Sequence, residues 1–284
     1  MDIEQLIEYY AVFGGLERYI TLNFSDSLFD SIYSNILINF NFLKNKILPP
    51  ISLTNENRKM LYAVAMSDGK TINVFKRARL SRAKGIAAYQ ILNQTGVLEK
   101  QISQEPPLII PSRQKKKKLQ RRYTTEAKIE FTYPIYRFWY TFVEPHLKEI
   151  EQENYDLFFK SLQTSFDRYV SFTFEELSNA LIKQIFEKRD PVLKKGAYWD
   201  TYNEFDLFAK TKNNRIIIGE CKWKRSKVCK SIVSKLKSKC EKSGLTPDYF
   251  AIFSKSGFSK ELKNLNDPTL LCFELKDFEK LLRT

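Results

Sequence analysis

The chain has 284 residues, of which 43% are apolar and 14% aromatic, and its formal net charge is +14. This composition excludes a disordered chain, because the apolar fraction is high enough to build packed cores. The sequence contains no run of 18 or more apolar residues, so it predicts no membrane span. The excess of basic residues favours a polyanionic partner, with nucleic acid ahead of an anionic membrane surface.

The cysteine and histidine content argues against a zinc site. His146 is the only histidine, and the cysteines at 221, 229, 240 and 272 form no closely spaced pair. A metalloprotein that uses zinc normally brings several such ligands together at short spacing. Free cysteines of this kind fit a reducing compartment, and we expect a cytoplasmic protein.

Residues 1–50 form the first predicted part, a helical segment. Apolar residues recur there at helical spacing, Gly14-Gly15 interrupts the pattern, and Pro49-Pro50 ends it. Core packing is the simplest interpretation of this periodicity.

Residues 51–148 form the second predicted part, a winged-helix domain. Helices are expected over 55–66, 71–78 and 81–93, and a strand over 97–101 would pair with a later strand to form the wing. In helix-turn-helix proteins the third helix enters the major groove. Basic residues around its start would meet phosphates: Arg79, Arg82 and Lys84. Winged helices also serve as protein-contact modules, and the sequence leaves that alternative open.

A strongly basic tract lies within this second part. It contains Lys115, Lys116, Lys117, Lys118, Arg121 and Arg122. Such a tract cannot bury itself, so it is either a solvated wing tip or an arm that binds phosphates. The aromatic stretch at 131–142 follows, and its helical spacing favours packing over base stacking.

Residues 149–284 form the third predicted part, which alternates helices and strands. Helices are expected over 150–171 and 172–186, and a hairpin over 203–209 and 215–223. A basic helix over 224–242 should follow, in which Lys224 and Lys227 are the first candidates for nucleic-acid contact. The remaining predicted elements are strands at 249–253 and 270–275 and a helix at 277–282.

The hairpin carries the residues that suggest chemistry. Side chains alternate along a strand, so Glu220 and Lys222 should share one face, with Cys221 on the other. Pairing of the two strands would bring Asp206 beside Glu220. Two adjacent carboxylates repel each other, and a hard divalent cation such as Mg²⁺ relieves that repulsion. A backbone carbonyl, such as that of Cys221, would add an oxygen ligand.

A purely structural interpretation competes with the metal site. Acidic and basic residues at strand ends often form simple ion pairs, and the Glu-x-Lys pattern recurs at Glu126, Glu261 and Glu274. Only Glu220 also has an acidic residue at a suitable distance on a hairpin partner.

Asp206 and the Glu220-Cys221-Lys222 run resemble the catalytic signature of the PD-(D/E)XK, or restriction-endonuclease-like, nucleases. In that superfamily a helix before the hairpin often supplies another glutamate. Glu175 is the better match for it, and Glu176 is the alternative. The resemblance implies a catalytic role for Glu175, Asp206, Glu220 and Lys222.

Several spaced blocks also look like the C-terminal domain of the archaeal-type ATPase family, which is thought to be nuclease-like. These blocks are residues 196–200, 204–206, 219–223 and 253–258. Residues 9–20 resemble the segment that follows the ATPase core in the same family. The sequence contains no G-x-x-x-x-G-K-[S/T] phosphate loop, so we expect no ATPase activity.

The expected fold class is therefore α+β or α/β: a helical segment, a winged helix and a restriction-endonuclease-like domain with a mixed sheet flanked by helices. The resemblance implies a DNA endonuclease that depends on Mg²⁺ or Mn²⁺, with a winged helix for docking on DNA. The alternative is a catalytically inactive DNA-binding or adaptor protein that retains the fold. A separate ATPase and a homodimer remain open as partners, whereas a membrane is not expected.

Overall fold

The structure is a computed structural model that describes residues 1–24, 27–47, 54–105, 125–200 and 202–282. The chain forms two compact units. The first contains Met1–Ile102 and Glu126–Val170, and the second contains Ser103–Thr125 and Ser171–Thr284. The mixed helix and strand content agrees with the α+β class expected from the sequence. The finer division into three parts stays a prediction.

The first unit is mainly helical. Its helices are α1 (Ile3–Phe13), α2 (Leu28–Ile32), α3 (Phe40–Lys46), α4 (Asn55–Ala65), α5 (Thr71–Ala78), α6 (Arg82–Gln94), α7 (Pro134–Phe138) and α8 (Leu147–Glu151). Two strands, β1 (Leu98–Gln101) and β2 (Lys128–Phe131), form a small antiparallel sheet.

Local interactions explain where the first helix begins and ends. Asp2 and Gln5 form a reciprocal capping box at the start of α1. Gly15, just beyond its end, has a φ of +92°, which suits glycine and strains other residues. A Cβ atom at this position would lie 2.8 Å from Cβ of Tyr133. The Gly14-Gly15 pair therefore marks a real break in the helix.

The order α4-α5-α6-β1-β2 matches the order of elements that the sequence predicts for a winged helix. Side-chain oxygens of Thr54 and Ser81 cap α4 and α6 by accepting hydrogen bonds from backbone N–H groups. β1 and β2 pair from Leu98 opposite Phe131 to Gln101 opposite Lys128. The three predicted helices are thus confirmed to within one or two residues at their ends.

One prediction about the next helix was wrong. The sequence suggested two helices that meet at residues 171 and 172, but α9 (Asp156–Phe186) is continuous across that point. It contains no proline or glycine. The hydroxyl group of Ser178 donates a hydrogen bond to the Phe174 carbonyl of the same helix, with an oxygen–oxygen distance of 2.7 Å. Nothing in the local sequence therefore interrupts the helix.

The second unit is built on a five-stranded mixed sheet in the order β3-β4-β5-β6-β7. The strands are β3 (Val192–Trp199), β4 (Glu204–Thr211), β5 (Ile216–Lys222), β6 (Tyr249–Ser254) and β7 (Leu270–Glu274). β3, β4 and β5 pair antiparallel, whereas β5, β6 and β7 pair parallel. The predicted hairpin is β4-β5.

Two helices of the second unit lie between its parallel strands in the chain: α10 (Lys230–Lys242) and α11 (Lys260–Lys263). The prediction that the basic helix begins at Lys224 was wrong. Val228 instead forms an isolated parallel bridge with Phe258, and its backbone N–H donates to the Gly257 carbonyl at 2.9 Å. This extended backbone prevents the helix from starting before Lys230.

Each face of the sheet has its own core. On one face, Phe208, Ile218 and Ile252 pack in a buried cluster with Val233 and Leu236 of α10. The opposite face is aromatic: the ring of Phe174 in α9 lies 5.1 Å from Trp223 and 5.0 Å from Phe278, measured between ring centroids. The sheet is therefore covered on both sides, as the apolar run at the start of β5 predicts.

The described part of the chain includes no helix with the length and apolarity needed to cross a membrane. The predicted phosphate-binding residues of the basic tract lie outside the described residues: Lys115, Lys116, Lys117, Lys118, Arg121 and Arg122.

Candidate functional site

The candidate site lies where β4 and β5 separate at one end of their ladder. The final paired residues at this end are Leu207 and Gly219. Beyond this pair a side-chain hydrogen bond takes the place of the backbone hydrogen bonds between the strands. Asp206 Oδ2 accepts it from the backbone N–H of Cys221 at 2.8 Å. Glu220 stands between Gly219 and Cys221, so the hairpin brings the two predicted carboxylates to the same place.

Close packing explains why glycine precedes Glu220. A Cβ atom on Gly219 would lie 2.8 Å from the carbonyl oxygen of Ala251 and 3.2 Å from Cβ of Leu207. Any side chain here would push β5 away from one of its neighbours. The glycine thus allows the central strand to lie tightly between β4 and β6 just before the charged residues.

Glu220 binds two lysine ammonium groups, one on each carboxylate oxygen. Lys222 Nζ donates to Oε1 at 2.6 Å, and Lys239 Nζ donates to Oε2 at 3.0 Å. The exposed fractions of the side chains are 15% for Glu220, 26% for Lys222 and 35% for Lys239. These ion pairs are therefore shielded more than ordinary surface pairs, and their interactions are correspondingly stronger.

Lys239 is the site residue that the sequence analysis missed. It lies on α10 and also donates from Nζ to the backbone oxygen of Glu204 at 3.2 Å. The same Nζ lies 5.8 Å from the centroid of the Phe205 ring. In the sequence, the one indication of this residue was that a lysine-rich helix follows the hairpin. Which lysine reaches Glu220 depends on how α10 packs on the sheet.

The surroundings of Asp206 strongly perturb the ionisation of its carboxyl group. Burial raises the pKa of Asp206 from 3.8 to about 6, and the neighbouring charge of Glu220 adds to the shift. The Cys221 N–H and the ammonium groups of Lys222 and Lys239 lower the pKa, but they do not cancel this rise. Paired carboxylates with one raised pKa are typical of sites for cation binding or proton transfer.

Glu220 and Lys222 stabilise each other's charged forms. Burial by itself would raise the pKa of Glu220, but Lys222 and Lys239 outweigh it and hold the pKa below that of a free glutamate. Burial would lower the pKa of Lys222, and Glu220 instead raises it above its ordinary value. At neutral pH, Glu220 is therefore a carboxylate and Lys222 is an ammonium ion.

The other side of β5 connects the site to α9. The Cys221 thiol lies against Ser178 of that helix, and burial together with the charges of Asp206 and Glu175 raises its pKa. Asn179, one turn after Glu175, donates from Nδ2 to the backbone oxygen of Asp206 at 3.1 Å. The charge of Glu175 therefore acts on the Cys221 thiol, on the side of β5 that faces α9. A catalytic role for Glu175 stays a prediction.

The oxygen atoms at the site are of the kind that Mg²⁺ prefers. They belong to Asp206, Glu220 and the Cys221 carbonyl, while the Cys221 thiol points to the opposite face. In the described part of the chain, no group of three or more Cys, His, Asp and Glu side chains is placed to hold a metal ion. A hard divalent cation at this site would therefore have two carboxylates and one backbone carbonyl as protein ligands, and water would supply the remaining ligands.

The other predicted nucleic-acid contacts are dispersed. Arg79 and Arg82 are exposed near the start of α6, whereas Lys84 forms an exposed ion pair with Glu56 at 3.5 Å. Lys224 and Lys227 lie in the segment between β5 and α10 rather than on the helix. In α10 itself, three lysines pair with carboxylates instead of presenting an open basic face: Lys230 with Glu261, Lys237 with Asp267, and Lys239 with Glu220.

Part of the chain matches a known family. The sequence pattern of a family described as archaeal and bacterial proteins of unknown function, DUF234, matches residues 139–233, about a third of the chain. The matched region includes Glu175, Asp206, Glu220 and Lys222, and it ends before Lys239. No curated protein and no solved structure matches the chain.

Proposed function

We propose that this protein hydrolyses phosphodiester bonds in DNA with the help of a divalent metal ion, as PD-(D/E)XK nucleases do. The observation that carries the proposal is the convergence of Asp206, Glu220 and Lys222 at the end of β4-β5. A scaffold has no structural need for two half-buried carboxylates side by side, because their repulsion destabilises the fold. A site that binds a cation and a phosphate does need them.

Asp206 and Glu220 supply the negative charge of this site. The hydrogen bond from the Cys221 N–H fixes one oxygen of Asp206. The other oxygen accepts no hydrogen bond from any described residue, so it is available to a ligand. Asp206, Glu220 and the Cys221 carbonyl would hold Mg²⁺ or Mn²⁺. When bound, such an ion lowers the pKa of a coordinated water and stabilises the charge that develops on the phosphate.

Lys222 acts as a cation rather than as a base. Because Glu220 raises the pKa of Lys222, the side chain keeps its proton at neutral pH and cannot accept one from water. Its N–H groups can instead donate hydrogen bonds to a phosphate oxygen or orient the attacking water. Glu175 acts on Cys221 through its negative charge, and this charge would offset part of the positive charge of a bound divalent ion.

The first unit offers a means of binding DNA that does not depend on the site. Arg79 and Arg82 are exposed where α5 leads into α6, and α6 would serve as the recognition helix of the predicted winged helix. The net charge of +14 supports a polyanionic partner. We therefore propose DNA docking through this helix pair, in a cytoplasmic setting.

The test is cleavage of plasmid DNA with Mg²⁺ or Mn²⁺ by the wild type, Asp206→Asn and Lys222→Met. We expect each substitution to lower the cleavage rate by at least about 100-fold, because each removes charge that the transition state needs. Lys235→Met is the matched control, since it removes an exposed lysine of α10 that does not contact Glu220. Equal cleavage by all four proteins would mean a contaminating nuclease and would reject the proposal.

A second candidate function is DNA binding without catalysis, as in an adaptor or regulatory protein. The observation that favours it is the closed ion-pair cluster, in which both oxygens of Glu220 already bind lysines. Calorimetry separates the two functions. Loss of Mn²⁺ binding in Asp206→Asn supports the nuclease, whereas DNA binding that is independent of both metal and Asp206 supports the adaptor.

A further inference from the structure

The two lysines that share Glu220 are anchored to different extents. Lys239 has three partners within the same unit: Glu220 Oε2 at 3.0 Å, the Glu204 backbone oxygen at 3.2 Å and the Phe205 ring at 5.8 Å. Lys222 Nζ makes one hydrogen bond in the described structure, to Glu220 Oε1. Moving the Lys222 ammonium therefore breaks one hydrogen bond, whereas moving that of Lys239 breaks two hydrogen bonds and a contact with an aromatic ring.

The backbone around Lys239 is also fixed. Asn203 Nδ2, in the turn between β3 and β4, donates to the Lys239 carbonyl at 3.2 Å and to Ser243 Oγ at 2.9 Å. These bonds attach the end of α10 to the strand that carries Asp206. Lys239 thus projects from a helix turn whose position relative to the sheet is set by an independent side chain.

Resting on the proposed function, we propose that Lys239 is a positioning residue that keeps Glu220 in place and acts as its permanent counter-charge. Lys222 is then the exchangeable ammonium, which leaves Glu220 Oε1 when a divalent cation binds there and becomes available to a phosphate. The site consequently takes one divalent ion, because the Lys239 ammonium occupies the second oxygen, Oε2.

The charge balance of the cluster gives this proposal a distinctive consequence. With Asp206 ionised, two carboxylates face the two ammonium groups of Lys222 and Lys239, and the cluster is neutral. Removing the Lys239 charge leaves a net negative site, which attracts a cation more strongly. The same change releases Glu220 from its fixed position. Cation affinity should therefore rise while turnover falls, whereas general loss of structure would lower both.

The experiment measures Mn²⁺ affinity and stoichiometry by electron paramagnetic resonance, without nucleic acid, in the full chain. The variants are Lys239→Met, Lys239→Gln, which keeps a donor for the Glu204 carbonyl, and Lys239→Arg, which keeps the charge. Lys235→Met is the matched control, because it removes an exposed lysine of α10 that does not contact Glu220. Thermal unfolding in EDTA identifies any variant that does not fold, and plasmid cleavage gives the turnover.

We expect Lys239→Met and Lys239→Gln to bind a single Mn²⁺ about tenfold more tightly than the wild type, with slower cleavage, and Lys239→Arg to restore both values. Lys235→Met should leave Mn²⁺ affinity unchanged. Equal or weaker binding by the two neutral variants overturns the role of Lys239 and leaves the proposed nuclease standing. Mn²⁺ binding by the neutral variants but not by the wild type supports the role of Lys239 and rejects the metal-dependent nuclease. No binding by any protein overturns both.

Discussion

Two charged regions of the molecule differ in how their charges are stabilised. They are the lysine–carboxylate cluster of the second unit, formed by Asp206, Glu220, Lys222 and Lys239, and the basic turn of the first unit, marked by Arg79 and Arg82. In the cluster, Glu220 is 15% exposed and each of its oxygens binds a lysine. At the two ends of the turn between α5 and α6, Arg79 and Arg82 are exposed to solvent. Half-buried charges need partners, so each member of the cluster depends on the others. Exposed charges are solvated individually, and each contributes separately to binding a polyanion.

Because of this difference, we expect substitutions in the two regions to affect different properties of the protein. Changes in the cluster should alter folding stability and its pH dependence, because they leave half-buried charges unpaired. Changes in the basic turn should alter DNA affinity and its salt dependence with little effect on stability. The following predictions test the contrast from the largest expected effect on unfolding to the smallest.

Glu220→Gln should lower the free energy of unfolding by about 2 kcal/mol at pH 7, measured by urea denaturation. The amide keeps only one acceptor oxygen, so Lys222 or Lys239 loses its partner. Glu261→Gln is the matched control, because the Glu261 side chain is 67% exposed and its ion pair with Lys230 measures 3.8 Å. If Glu220→Gln lowers the free energy of unfolding no more than the control does, the charges of the cluster do not stabilise one another.

Asp206→Asn should stabilise the protein above pH 6 by about 1–2 kcal/mol in EDTA. The pKa of Asp206 rises from 3.8 to about 6 on folding, so the folded state disfavours the ionised carboxylate. The wild type therefore loses stability as the pH rises from about 4 to 6, and the asparagine variant lacks this loss.

Chemical denaturation of both proteins from pH 4 to pH 8 measures the difference. It should be close to zero at pH 4 and constant above about pH 6.5. A difference that shrinks with rising pH would contradict the direction of the Asp206 shift.

Arg79→Gly should raise the free energy of unfolding slightly, by about 0.5 kcal/mol or less. Arg79 has a φ of +55°, in the left-handed region that glycine adopts without strain. Arg77→Gly is the control: Arg77 lies within α5, where glycine should cost about 1 kcal/mol. A larger loss for Arg79→Gly than for Arg77→Gly would mean that the Arg79 side chain stabilises the fold.

Arg82→Gln should leave stability unchanged and reduce the salt dependence of DNA binding. If Arg82 contacts one phosphate, the slope of log K against log salt should fall by about 0.9. Fluorescence anisotropy at several salt concentrations measures this slope. Lys148→Gln, an exposed lysine of α8, should leave it unchanged. An identical slope for both variants would remove Arg82 from the DNA-binding surface.

The sequence was sufficient to predict the parts of the site that are local in the chain. Alternation in β5 placed Glu220 and Lys222 on one face, and the short turn before it brought Asp206 alongside. The three helices of the first unit were likewise predicted from apolar periodicity and from their start and stop residues. In each case the deciding interactions join residues of one helix or of one hairpin, and the Asp206–Cys221 hydrogen bond spans 15 positions.

The missed features depend on contacts that are distant in the chain. Lys239 reaches Glu220 only because α10 docks on the sheet, and the lysines around it have the same sequence character. The late start of α10 depends on the bridge between Val228 and Phe258, thirty positions apart. For the lysines of α10, sequence periodicity predicts which side faces the core, but it does not reveal which acidic residue lies opposite each of them.

The most direct test of the central claim is a crystal structure of the protein soaked in Mn²⁺, with anomalous diffraction to locate the ion. The account predicts one anomalous peak between the carboxylates of Asp206 and Glu220, with Lys239 still bound to Glu220 and Lys222 displaced. The contradictory result is a crystal at saturating Mn²⁺ that shows no peak there, with both lysines still bound to Glu220.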